Sequence, residues 1–182
     1  MRWGFLLVIV AATASAQDAP EAPERRQATA YVQQLRQGIT QLVDGDATGA
    51  MTTFQEAIRS EPEQPEGHCH LAAAQRQNGD LQNAVESFRT CARLARQAGD
   101  VLNEGRGLLG TVQILVLDRE QRTPAREAVS ALLRYAETHG DTIPLPLVQE
   151  LQQRLDSIIE LDVVSQEVRA RREARAAQTT EE

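Results

Sequence analysis

Lysine is missing altogether. All 19 basic residues of this 182-residue chain are Arg, set against 26 acidic residues for a net charge of −7. An acidic surplus argues against nucleic acid as a partner. The Arg-only composition fits GC-rich coding rather than a function. Aromatic residues make up only 3% of the chain, so a core must be built from Ala, Leu, Val and Ile, which suits close-packed helix pairs better than a β-sandwich. With three His, two Cys and no recognisable nucleophile motif, no catalytic set stands out. The sequence therefore predicts a non-enzymatic protein without a cofactor.

Long apolar runs are scarce too. The one at the start, Gly4 to Thr13 behind Met1-Arg2-Trp3, is followed by Ala14-Ser15-Ala16, a small-x-small cleavage pattern. It reads as a signal peptide over 1–16, cut between Ala16 and Gln17, and predicts an exported, periplasmic or secreted protein. The run is shorter than the roughly 20 apolar residues of a membrane span, so no stable membrane insertion is expected after cleavage. The alternative is an uncleaved anchor. Residues 17–27, polar and Pro-bearing, read as a flexible tether.

What is present is a repeat. Asp44-Gly45-Asp46 recurs as Asn78-Gly79-Asp80, Ala50 as Ala84, Phe54 as Phe88 and Ala57 as Cys91, all at a spacing of 34 residues. Each block reads as helix, glycine corner, helix, and hairpins this short must stack to bury their apolar faces. Units are expected at about 31–64, 65–98 and 99–139, within a domain over 28–140. The third unit is about ten residues longer, judged by Ala84 to Ala128. Its helices are expected at about 101–117 and from Pro124, either side of a polar loop. A long helix is expected over 141–176, with a disordered tail at 177–182. Val148, Leu151, Leu155, Ile158, Leu161, Val164 and Val168 give it a stripe. It either caps the stack or projects as a seam for self-association, with Asp162 and Ser165 interrupting a strict heptad.

These blocks resemble the tetratricopeptide repeat family. The second supplies Leu71-Ala72, Gly79, Ala84, Phe88 and Cys91, with Arg96 where the family has Pro. The first supplies Gly38, Gly45, Ala50, Phe54, Ala57 and Pro62, with Gln34, Gln37 and Gln41 where bulky residues are usual. The likeness covers 31–98 well and 99–139 loosely. It implies an all-α, right-handed superhelical stack of about three hairpins closed by the long C-terminal helix. It also implies binding of a protein or peptide through the concave face.

On that face the candidates are Val32, Leu35, Ile39, Leu42 and Val43 from the first helix, followed by Glu66, Ala73, Arg76 and Gln77. The first-helix stripe is either an open dock for an apolar peptide or is buried against the second helix. Cys69 and Cys91 fall at similar heights in one hairpin, so a disulfide and two separate buried thiols both remain open. A thiol- or redox-responsive module is a further reading of this pair.

Three patterns are discounted. Gly105-Arg106-Gly107-Leu108-Leu109-Gly110 matches a dinucleotide fingerprint but follows a helix rather than a strand, and close approach of two helices explains its glycines better. His68-Cys69-His70 lacks the spacing that brings metal ligands together on a helix, so no metal is expected. Arg169, Arg171, Arg172 and Arg175 form a basic patch that complements a helix C-terminus.

Overall fold

The glycine corners set the architecture. The computed structural model describes residues 23–118 and 120–179, and all regular structure among them is helical. The helices are α1 (Pro23–Val43), α2 (Ala47–Ser60), α3 (Pro65–Gln77), α4 (Leu81–Ala98), α5 (Val101–Leu115), α6 (Arg122–Thr138) and α7 (Leu145–Thr179). Gly45, Gly79 and Gly99 have φ of 87°, 81° and 70°, the left-handed region that glycine enters without steric cost. At each corner the next residue's N–H reaches back to close the preceding helix. Asp46 N donates to the Gln41 carbonyl at 2.8 Å, Asp80 N to Gln75 at 2.9 Å and Asp100 N to Ala95 at 2.8 Å. The same three Asp side chains then cap the following helix, accepting from the N–H groups of Gly49, Asn83 and Asn103. One glycine and one aspartate thus stop one helix and start the next.

Successive helices pack against each other, and α1 also touches α3, as α3 does α5. Those three form one layer, with α2 and α4 behind it. The chain is an all-α stack of helical hairpins. Two core clusters meet at α3. Tyr31, Leu35, Ala50, Phe54, Ala57, Leu71 and Ala74 fill the first. Ala72, Ala84, Phe88, Val112, Leu132 and Val148 anchor the second.

Glycine supplies the close approaches. A Cβ on Gly38 would lie 2.5 Å from the Phe54 ring, and one on Gly110 would lie 2.6 Å from the Phe88 ring. A Cβ on Gly107 would meet the Phe88 carbonyl at 2.6 Å and the Ala92 nitrogen at 2.7 Å. The GxGxxG glycines therefore lie inside a helix, two of them pressed against α4.

Several boundaries differ from expectation. α1 begins at Pro23, so residues 23–27 are helical rather than tether; proline is a favourable first helical residue. α6 begins at Arg122, two residues before Pro124, as the first turn of a helix accepts Pro. α7 runs on to Thr179, through much of the expected tail. The longer step from Ala84 to Ala128 is spread out: α4 has 18 residues to the 14 of α2, α5 has 15 to the 13 of α3, and the α5–α6 connection spans 116–121. The signal peptide, the tether up to residue 22 and residues 180–182 lie outside the described residues. No helix among the described residues is long and apolar enough to cross a membrane.

Candidate peptide-binding face

The α1 stripe does not act as a unit. Tyr31, Leu35 and Gly38 are buried and Leu42 is partly buried, so this row packs toward α2 and α3. Val32, Ile39 and Val43 sit about 100° around the helix and are 51%, 38% and 81% exposed. Leu35, only 5% exposed, cannot line a groove. The apolar residues of α1 are numerous enough to occupy two faces, and periodicity did not separate them. Tyr31 fixes which row is buried: its Oη accepts from the Gly67 N–H at 3.0 Å. Burial, the largest influence, pushes its pKa up to about 12.

The better-formed concavity lies between α3 and α5. It is a cavity of about 260 Å³ whose lining includes His70, Ala73, Arg76, Arg106, Leu109 and Gln113, with Phe88 at its floor. Arg76 Nη1 donates to Gln113 Oε1 at 2.8 Å, and its guanidinium lies 5.9 Å from the centre of the Phe88 ring. Arg106 Nη1 donates to Asn103 Oδ1 at 3.2 Å. Among the described residues no carboxylate forms an ion pair with either arginine. Both guanidinium groups therefore keep donors for an incoming acceptor, over an apolar floor.

His70 stacks on Phe54 with ring centroids 5.4 Å apart, and its Nε2 is 3.8 Å from Glu66 Oε1. Burial lowers its pKa most; Glu66 opposes that shift and Arg106 adds to it. His68 turns elsewhere, its Nε2 lying 3.1 Å from the Pro62 carbonyl. Among the described residues no cluster of three or more His, Cys, Asp or Glu could hold a metal ion.

Of the groove residues expected from sequence, Ala73 and Arg76 share the α3–α5 cavity. Glu66 is not in its lining and meets His70 at 3.8 Å. Gln77 is exposed and donates to the Leu42 carbonyl at 3.3 Å, tying α3 to α1. Val32 lines a separate shallow site with Ala28, Thr29, Gln33 and Arg36. The α5 contributors Arg106, Leu109 and Gln113 were missed. A signal existed: their steps of three and four, like the steps of three in His70, Ala73 and Arg76, put each set on one helix face.

Cys69 of α3, which also lines the cavity, and Cys91 of α4 are joined by a disulfide with Cα atoms 5.2 Å apart. Both cysteines are buried, and their sulfurs face the Asn103 carbonyl of α5. The bridge holds together the hairpin that carries Arg76 and Phe88.

Neither the protein-family models nor the curated proteins searched match this chain. The reading of the site therefore rests on its own geometry.

Proposed function

We propose that this protein is a non-enzymatic interaction scaffold, related to tetratricopeptide repeat proteins, that binds an extended acidic segment of a protein partner across α3 and α5. One observation carries this reading. In a chain of net charge −7, the cavity between these helices presents Arg76 and Arg106 without carboxylate partners, beside Leu109 and above Phe88. A carboxylate would take the guanidinium donors while a neighbouring apolar side chain covers the floor. The exposed Val32, Ile39 and Val43 on α1 lengthen the surface available to an extended chain. The repeat period and the matching glycine corners support the family kinship.

Export to an oxidising compartment is part of the proposal. Its support is the apolar start of the sequence together with the buried Cys69–Cys91 bridge, because such bridges persist outside the reducing cytosol.

Selection of a displayed random-peptide library on the oxidised protein tests the function. Enriched peptides should carry Asp or Glu. Their affinity should fall by about tenfold or more in the Arg76→Glu/Arg106→Glu variant and weaken with salt. Peptides without acidic preference, or bound equally by the double variant, would refute it.

A further inference from the structure

Only the first part of α7 is packed. Val148 and Leu155 are buried and Ile159 is partly buried in the core cluster shared with α6. Beyond residue 159 every described side chain of α7 is exposed, yet the apolar pattern continues. Leu161, Val164 and Val168 are 67%, 52% and 44% exposed, at helical steps of three and four. Leu147, Leu151 and Ile158, about a quarter turn around the helix from these, line an open trough of about 720 Å³ with Val116 and Leu117 of the α5–α6 connection. Apolar side chains thus continue from beside the domain at Leu147 to Val168, about 30 Å along the helix at 1.5 Å per residue, with about the last 10 Å on the projecting part.

The charges along α7 indicate what covers this strip. Glu150, Asp156, Glu160, Asp162 and Glu167 lie in its earlier part, with Arg154 as the sole basic residue between 147 and 168. Arg169, Arg171, Arg172 and Arg175 follow, diluted only by Glu173. A parallel copy would set arginines against arginines. An antiparallel copy centred between Val164 and Ser165 sets Leu161 against Val168 of the other chain, and residues 169–172 at the level of residues 157–160. Arg171 and Glu160 are eleven residues apart in sequence, close to three whole turns, so they share one flank of the strip. A two-fold antiparallel pair brings equal flanks together, Arg171 toward Glu160 in both directions.

We propose that two copies of this protein associate through an antiparallel pairing of their α7 helices along Leu161, Val164 and Val168. The domains then stand at opposite ends of the paired helices, and each α3–α5 cavity stays open. The pairing is independent of the peptide-binding reading, since no residue is shared.

Sedimentation equilibrium of the full chain tests it. A dimer is expected at ~100 µM chain, in keeping with a small interface, and Leu161→Asp/Val168→Asp should be monomeric. Glu160→Arg or Arg171→Glu alone should weaken the dimer about tenfold, because each meets a like charge twice. The double variant, or an equimolar mixture of the two single variants, should regain the wild-type dissociation constant. All these positions are exposed, so circular dichroism should be unchanged. A wild-type monomer at that concentration would overturn the proposal, as would a dimer indifferent to the single charge reversals or single variants that are not rescued on mixing.

Discussion

The first two hairpins turn on three-residue corners with the same hydrogen bonds and the same capping aspartate. Each places one phenylalanine in the core, Phe54 or Phe88. The part of the chain after Gly99 keeps that corner once, at its entry, and then abandons it. The α5–α6 connection is longer, no phenylalanine follows, and Leu132 is the large side chain fully buried in α6. Tyr135 instead reaches back to donate to the Val101 carbonyl at 2.5 Å. The phenylalanines also differ in direction. Phe54 presses on Gly38 of its own hairpin, whereas Phe88 presses on Gly110 of the next helix. Strict spacing is thus needed where corners set the register, and glycines in the facing helix restore contact where spacing is lost.

The largest expected effect comes from the two rings. Phe54→Ala and Phe88→Ala should each cost about 4 kcal/mol in urea unfolding, while Leu161→Ala, measured in dilute protein where chains are unpaired, should stay within about 0.5 kcal/mol because it removes no surface packed within the chain. A marked inequality between the two phenylalanine variants would break the parallel between the hairpins.

Loss of the bridge comes next. The Cys69→Ala/Cys91→Ala chain should lose about 3 kcal/mol, the value for closing a loop of this size. Thiol titration of the denatured wild type should find free thiols only after reduction; free thiols without reductant would remove the bridge from the account.

Gly107→Ala measures the close approach of α4 and α5. Helix propensity alone would favour Ala by about 1 kcal/mol. The new methyl must displace the α4 backbone, so a net loss of about 2 kcal/mol is expected, and a gain in stability would show that α5 stands farther from α4.

The smallest effect is the pH response of His70. Burial holds its folded pKa below the ordinary value, against the opposing pull of Glu66. The unfolded chain therefore takes up this proton first as pH falls. Its contribution to stability is full above the unfolded pKa near 6.5 and is lost as pH drops toward and through the folded value. Urea midpoints of His70→Phe should fall less between about pH 7 and pH 5 than those of the wild type; equal slopes would place His70 in water.

Much of the fold was readable because its determinants are local. Gly45-Asp46 and Gly79-Asp80 mark their corners by residue type, and the bounds of α2 and α3 follow from Asp46, Pro62 and Pro65. The start of α1 was not readable, since Pro23 serves a helix or a linker equally well. Only the α3 side of the candidate site was visible: Ala73 and Arg76 follow from the resemblance, but Arg106, Leu109 and Gln113 depend on how α5 rotates when Gly107 and Gly110 press against α4. The α1 stripe failed for the same reason. Val32 and Leu35 differ by one helix face, and only the tertiary bond from Gly67 to Tyr31 decides which is covered.

The stacking of hairpins through phenylalanine on glycine is tested most directly by nuclear Overhauser contacts in the oxidised protein. The Hα protons of Gly38 and Gly110 should show strong contacts to the Phe54 and Phe88 rings, respectively, and be shifted upfield by them. Ordinary glycine shifts without ring contacts would contradict the stack.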